Sequence, residues 1–266
     1  MKTSGFFFLT LFFSGTLIYA EKITMKVQDL DFEVLRQMEQ CYETICPARE
    51  NSEETFAWFS GLSHPLFNAV MHLSCRPEQI ASKVDELIAS APSTVPISFW
   101  VHPKNNAPGL AETLKQKGFQ PAVSCPLMSW KVTQPKVVAK ADIRPANMEI
   151  FHDITATVNQ FDDKFKQEFI AIMRAFKSEN YLIYADDHPV GTGVLLSMGT
   201  VGGIFNLATL PEHQKKGHGR AMMLFLMNRA HELGLQRLVL LSSPAAEKLY
   251  TDLAFRKAFD VVLYVK

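Results

Sequence analysis

One junction constrains this chain more than any other stretch. Ile204–Leu210 is a run of strand-forming residues, Pro211 follows, and Gln214-Lys215-Lys216-Gly217-His218-Gly219-Arg220 leads into an apolar helical stretch, Ala221 to Leu233. Proline cannot continue a hydrogen-bonded ladder, so the strand stops there. A strand, a glycine-spaced loop and a helix aim several backbone N–H groups at one spot, where the helix dipole adds positive potential. Gly217 and Gly219 remove Cβ atoms where a ligand approaches the backbone or φ must be positive. Lys215, Lys216 and Arg220 add formal charge. The junction reads as a pyrophosphate cradle. It is neither a P-loop nor a Gly-x-Gly-x-x-Gly turn.

A Gly-x-Gly turn alone is usually only a turn, so the context decides. The spacing Gln-x-x-Gly-x-Gly, after Asn206-Leu-Ala-Thr-Leu-Pro-Glu212 and before an apolar helix, resembles motif A of the GNAT N-acetyltransferases. The resemblance continues through Leu238-Val-Leu-Leu-Ser-Ser243 and Ala246-Glu-Lys-Leu-Tyr250-Thr-Asp-Leu-Ala-Phe255, and it covers the chain from Ile143 to its end. It implies acetyl-CoA as cosubstrate. The backbone of Ala208, Thr209 and Leu210 would pair with the pantetheine arm like an added strand. The loop Gln214, Lys215, Lys216, Gly217, His218, Gly219 and Arg220 would hold the pyrophosphate, with Ser243 a further cofactor contact. His218 stands where the family often has an apolar residue, which matters little to a loop that binds through backbone N–H groups.

Acetyl transfer to an amine poses two proton problems. A lysine-like amine is only about one part in a few thousand neutral at pH 7, so a base or a lowered amine pKa helps. The departing thiolate benefits from an acid, and Tyr250 occupies the family's position for one. Taken alone, Tyr250 is more simply an aromatic packing on its helix. No base is named. Ile204–Leu210 contains no carboxylate, Asn206 could position a water, and Asp162, Asp163 or Glu168 could reach an acceptor site but read more simply as solvated surface charges.

The flanking sequence predicts mixed α/β structure. Asn147 can cap a helix carrying Phe151, Ile154 and Val158, and Phe165, Phe169, Ile172 and Phe176 make a second apolar stripe. Tyr181–Ala185 and Val190–Met198 read as strands around the turn Asp186-Asp187-His188-Pro189, and Gly199–Gly203 as the next turn. Gly234 suits a helix C′ position, and Leu238–Leu241 is apolar throughout, as for a strand covered on both faces.

Residues 25–131 read as their own α/β unit. An amphipathic helix (Leu30, Leu35, Met38, Cys41, Ile45) precedes the strand-like runs Phe56–Phe59 and Leu66–Leu73, which Gly61 and Pro65 interrupt. A helix from Pro77 to about Ala89, a strand Ile97–His102 and a helix from about Pro108 to Lys117 follow. An internal repeat appears here. Pro96-Ile-Ser-Phe-Trp-Val and Gly109–Phe119 run parallel to Arg237-Leu-Val-Leu-Leu-Ser and Ala245–Phe255, with Phe119 set against Phe255 and Leu114 against Tyr250. The first copy lacks a Gln-x-x-Gly-x-Gly loop. The expected architecture is two tandem GNAT-like α/β (α+β) domains, each a mixed, mostly antiparallel sheet flanked by helices. A degenerate domain at 25–131, a linker at 132–141 and an acetyl-CoA-binding domain at 142–266 would make it up.

Residues 1–24 pose a separate question. Lys2, the apolar run Phe6–Phe13 and a small residue at Ala20 fit a secretory signal, too short and interrupted for a membrane span. Alternatively translation starts at Met25, or the protein is exported to act inside another cell. Acetyl-CoA is a cytosolic metabolite, and cytoplasmic action is the reading adopted. Cys41, Cys46, Cys75 and Cys125 would permit two disulfides after export, but they read better as free, buried thiols. No Cys/His spacing suits zinc. With 27 Lys+Arg against 27 Asp+Glu and no basic patch interleaved with aromatics, nucleic acid is not an expected partner. The expected function is acetyl transfer to a primary amine. The rivals are a catalytically silent CoA-binding or interaction protein, and an exported structural protein.

Overall fold

The computed structural model describes residues 30–44, 48–135, 141–175 and 177–266, without the side chains of 172, 174 and 175. The leader at 1–24, Ile45, Cys46, residues 136–140 of the 132–141 linker, and the Ile172 and Phe176 side chains therefore lie outside the described residues.

All eleven described strands join one sheet, in the order β1-β2-β3-β4-β11-β5-β10-β9-β8-β7-β6. They are β1 (Glu50–Asn51), β2 (Thr55–Phe59), β3 (Asn68–Leu73), β4 (Ser98–Val101), β5 (Gln120–Lys131), β6 (Asp142–Pro145), β7 (Glu179–Ala185), β8 (His188–Met198), β9 (Val201–Thr209), β10 (Arg237–Leu241) and β11 (Arg256–Val265). The helices are α1 (30–43), α2 (Ile80–Ser90), α3 (Leu110–Gln116), α4 (Met148–Asn159), α5 (Asp163–Ala175), α6 (His218–Glu232) and α7 (Glu247–Asp252). Only β3/β4 and β9/β10 run parallel, and each of those pairs is joined by a crossover helix, α2 or α6. The fold is mixed α/β with a mostly antiparallel sheet. Among the described residues no helix is long and apolar enough to cross a membrane.

Local chemistry sets the element ends. The Asn147 side chain accepts from the backbone N–H of Glu149 (3.0 Å) and Ile150 (3.3 Å), capping α4. Asp186 and Asp187 adopt left-handed φ of 50° and 61°, the geometry of a two-residue hairpin between β7 and β8. The repeat is reproduced atom for atom at one corner. Phe119 N donates to Leu114 O (2.9 Å) and Phe255 N to Tyr250 O (3.0 Å), each after a left-handed residue, Gly118 or Ala254.

The segments β3-α2-β4-α3-β5 and β9-α6-β10-α7-β11 thus follow one plan, but their last strands trade places. β5 pairs with β10 of the other half, β11 pairs with β4, and β5 and β11 pair with each other. Two sheets become one. Alternation along the strands then loads both faces. Val239 faces a core shared by α1, α4 and α5, where Leu35, Tyr42, Trp58, Phe151 and Phe169 meet across the halves. Leu238 and Leu240 face α6 and α7, and α2 and α3 cover the same side of the first half.

One sequence expectation needs correction. Gly202 and Gly203 are not turn residues, because the turn is confined to Gly199-Thr200 and both belong to β9. A Cβ on Gly202 would lie 2.6 Å from Leu238 Cδ2, and one on Gly203 would lie 2.7 Å from Cys41 Sγ. These glycines let the neighbouring side chains and α1 close on the strand. Cys41, Cys75 and Cys125 are free thiols.

Candidate functional site

The site begins where two parallel strands part. β9 and β10 pair at Val201↔Arg237, Gly202↔Leu238 and Gly203↔Val239, then diverge although β9 runs on to Thr209 and β10 to Leu241. Asn206, at φ 46°, sits in a bulge of β9 where the pairing with β8 skips a residue. Thr192 Oγ1 donates to its carbonyl (2.7 Å) and fixes the kink. Leu210 N donates to Val190 O (2.9 Å), so that group is spent within the sheet. Strand alternation turns the backbone of Thr209 the other way, towards the crevice, where Gln214 Nε2 donates to its carbonyl (3.1 Å).

The loop after β9 ends in a concave run of backbone donors. Lys215 (φ 58°) and Gly217 (φ 90°) are left-handed, a pattern that curls successive N–H groups towards one point. Gly217 is the N-cap of α6, and the first bond back into the helix comes from Ala221 N to Gly217 O (2.9 Å), so the N–H groups of His218, Gly219 and Arg220 point out of its end. A Cβ on Gly217 would meet nothing within 4 Å, and one on Gly219 nothing closer than Leu249 Cδ2 at 3.7 Å. The protein's own packing does not require a bare Cα at Gly219. An occupant of the cradle would. Lys215, Lys216 and Arg220 are exposed around it, and burial and then the charges of His213 and Lys216 hold His218 below the usual imidazole range.

Leu249 brings α7 beside the cradle, and Tyr250 is the next residue. Tyr250 is buried in the α6/α7 core, 5.8 Å from Phe255 between ring centroids. Burial alone pushes its hydroxyl above the usual phenol range. Ser243 is exposed at the end of β10, starting the turn into α7, with Ser242 Oγ donating to its carbonyl (2.7 Å).

On the other side of the bulge is a cavity of about 380 Å³, walled by both halves. Tyr42, His64 and Phe67 come from the first half, and Asn159, Phe169 and Asn206 from the second. Neither His64 nor Tyr42 stood out in the sequence, because more than 140 residues separate them from Asn206. Of the acids considered earlier, Asp162 and Asp163 are exposed, as solvated charges are, and Glu168 is half-buried. Asp162 Oδ1 accepts from Phe165 N (2.7 Å) and caps α5. Glu168 accepts from Ser63 N (2.8 Å) and Ser63 Oγ (2.7 Å), which stitches α5 to the first half and lowers its pKa.

The corresponding crevice of the first half is closed. There β3 and β4 pair at Ala69↔Ser98 and Val70↔Phe99, as β9 and β10 do. Beyond that point His102 Nε2 lies 2.8 Å from Met71 O, Cys75 N donates to Asn106 O (3.0 Å), and Ser74 bridges Asn106.

Among the described residues no group of three or more His, Cys, Asp or Glu could hold a metal ion. No curated protein matches the sequence. Among solved structures the chain is similar to a GCN5-related N-acetyltransferase from Kribbella flavida, with a TM-score of 0.63 at 16% identity over 88% of this chain and 95% of that one. It is also similar to a functionally unknown conserved protein from Staphylococcus epidermidis, with a TM-score of 0.60 at 13% identity over 82% and 93%. At such identities the likeness is one of fold. Residues 142–266 are less than half of the chain, so both alignments take in the first half as well. The model of the acetyltransferase (GNAT) family matches residues 144–255. Residues 144–255 are thus matched as a GNAT acetyltransferase domain.

Proposed function

We propose that the protein is an N-acetyltransferase that moves the acetyl group of acetyl-CoA directly to a primary amine, in two tandem GNAT-like halves of which only the second binds the cosubstrate. One observation carries the reading: β9 and β10 part above an N–H cradle whose Gly219 needs no bare Cα for internal packing. The open edge of β9 around Thr209 can accept a pantetheine arm as an added strand. The N–H groups of residues 215–220 can hold a pyrophosphate, with Lys215, Lys216 and Arg220 supplying charge. The closed crevice at His102 supports a first half that lends shape and no second cofactor site.

In the reaction the amine nitrogen bonds the acetyl carbon and the C–S bond breaks. The amine gives up one proton and the departing sulfur gains one. Tyr250 is assigned to the sulfur. Among the described residues the wall of the cavity beyond Asn206 has no carboxylate to act as a base, and the reading takes the attacking amine as already neutral. Acetyl-CoA at a hundred times its Kd should stabilise the full chain by about 2.7 kcal/mol, read by thermal shift or calorimetry. Gly217→Glu/Gly219→Glu, which fills the cradle with side chain and negative charge, should abolish the shift. A folded wild-type protein that ignores acetyl-CoA would sink the reading.

A further inference from the structure

We infer that the cavity between the halves holds the uncharged, ring-bearing body of an arylalkylamine acceptor, its primary amine turned towards Asn206. The inference rests on the acetyl-transfer reading and names the substrate class for the same site. The cavity's volume, about 380 Å³, falls within the range of about 300–1,000 Å³ usual for small-molecule sites. Its walls are aromatic: Phe67 and Phe169 lie 5.7 Å apart between centroids, and Phe161 and Phe169 also 5.7 Å. Flat apolar walls favour a ring, which can stack or meet them edge-on.

The polar groups in the wall are few and carry no formal charge. Among the described residues no Asp, Glu, Lys or Arg lines the cavity. A polyamine would leave a second ammonium there without a counter-ion, and an amino acid would leave a carboxylate without a cation, each a costly burial. His64 Nδ1 accepts from Leu66 N (3.2 Å), so the ring's neutral form carries its proton on Nε2. Burial holds that imidazole below its usual range, with Asp162 partly opposing. Tyr42, only 9% exposed, stands in the cavity wall. A phenol hydroxyl in that wall can accept from an indole N–H or exchange a hydrogen bond with a ring hydroxyl. The same apolar wall disfavours an ammonium and favours the neutral amine, which does the work of a general base.

The test uses the full chain with acetyl-CoA and three acceptors: 2-phenylethylamine, spermidine and glycine. Free thiol release is followed, and binding of acetyl-CoA and of 2-phenylethylamine is measured separately by calorimetry. The expected result is a kcat/KM for 2-phenylethylamine at least about 30-fold above the other two. Phe67→Ala should raise the KM for that amine about 10-fold and leave the KM for acetyl-CoA within about twofold. Asn159→Asp, which puts a carboxylate in the wall, should shift preference towards spermidine. Acetyl-CoA binding with spermidine or glycine preferred would overturn the acceptor class and leave acetyl transfer standing. Faster turnover of glycine with benzoyl-CoA than of 2-phenylethylamine with acetyl-CoA would assign the cavity to the acyl chain and also overturn it. Absence of acetyl-CoA binding would overturn both readings.

Discussion

Tyr250 shows how far one side chain can be argued. Its hydroxyl is pushed above the ordinary phenol range by burial, while a thiol's reference pKa is about 8.5, so full proton delivery to sulfur runs uphill. On the proposed acetyl-transfer reading, the group would act better as a hydrogen-bond donor that steadies the developing thiolate and keeps its proton until the sulfur has lost its carbon. Tyr250→Phe keeps the packing against Phe255 and removes only the donor. It should lower kcat about 10²-fold with acetyl-CoA binding unchanged, checked by steady-state kinetics beside calorimetry. An unchanged kcat would hand the tyrosine back to the core. His102 makes the opposite case, a titratable group serving structure. It is 6% exposed, its Nδ1 accepts from Lys104 N (3.2 Å), and its ring stacks on Phe259 of β11 at 5.1 Å. Burial, the largest cause, holds its pKa down at about 4 from 6.5. A depressed pKa contributes stability that is complete above pH 6.5 and lost as pH falls towards 4, at most roughly 3 kcal/mol. Urea unfolding at pH 7.5 and pH 4.5 should show the wild type losing about 2–3 kcal/mol more than His102→Gln.

At the scale of elements, the legible part was whatever periodicity and punctuation encode locally. The Asn147 cap, the Asp186-Asp187 turn, the β10 run and the left-handed Gly217 all have side-chain or backbone chemistry that acts within a few residues. Gly202 and Gly203 misled because glycine serves turns and close packing equally, and only Leu238 and Cys41, which the sequence does not place beside them, decide between the two. The repeat was visible at Phe119 and Phe255, but the exchange of β5 and β11 was not. Both strands carry the same alternation whichever half they join, and the choice is made by the long-range pairing Val101↔Val262. The cavity was hidden for the same reason, since Tyr42 and His64 reach Asn206 only through tertiary packing. The cradle could be read because its residues lie together in sequence, whereas the acceptor wall is assembled from both halves.

For the whole molecule, the exchanged strands make each half incomplete without the other. β11 supplies an edge to β4 and pairs with β5, and α1 packs with α4 and α5 in one shared core. The protein should therefore unfold in one transition, with calorimetric and van't Hoff enthalpies in agreement. Deleting residues 256–266 should destroy both halves together, seen as loss of the transition and not as a drop to one surviving unit. The exchange also sets a schedule for synthesis. Val101 must wait for Val262, a gap of 161 residues, and at about 5–20 residues per second that is roughly 8–30 seconds on the ribosome. Throughout that interval the open edge of β4 and the long apolar β5 are exposed to each other and to neighbouring chains. A local parallel pairing of β4 with β5 across α3, formed early, would have to be undone before β11 could insert between them.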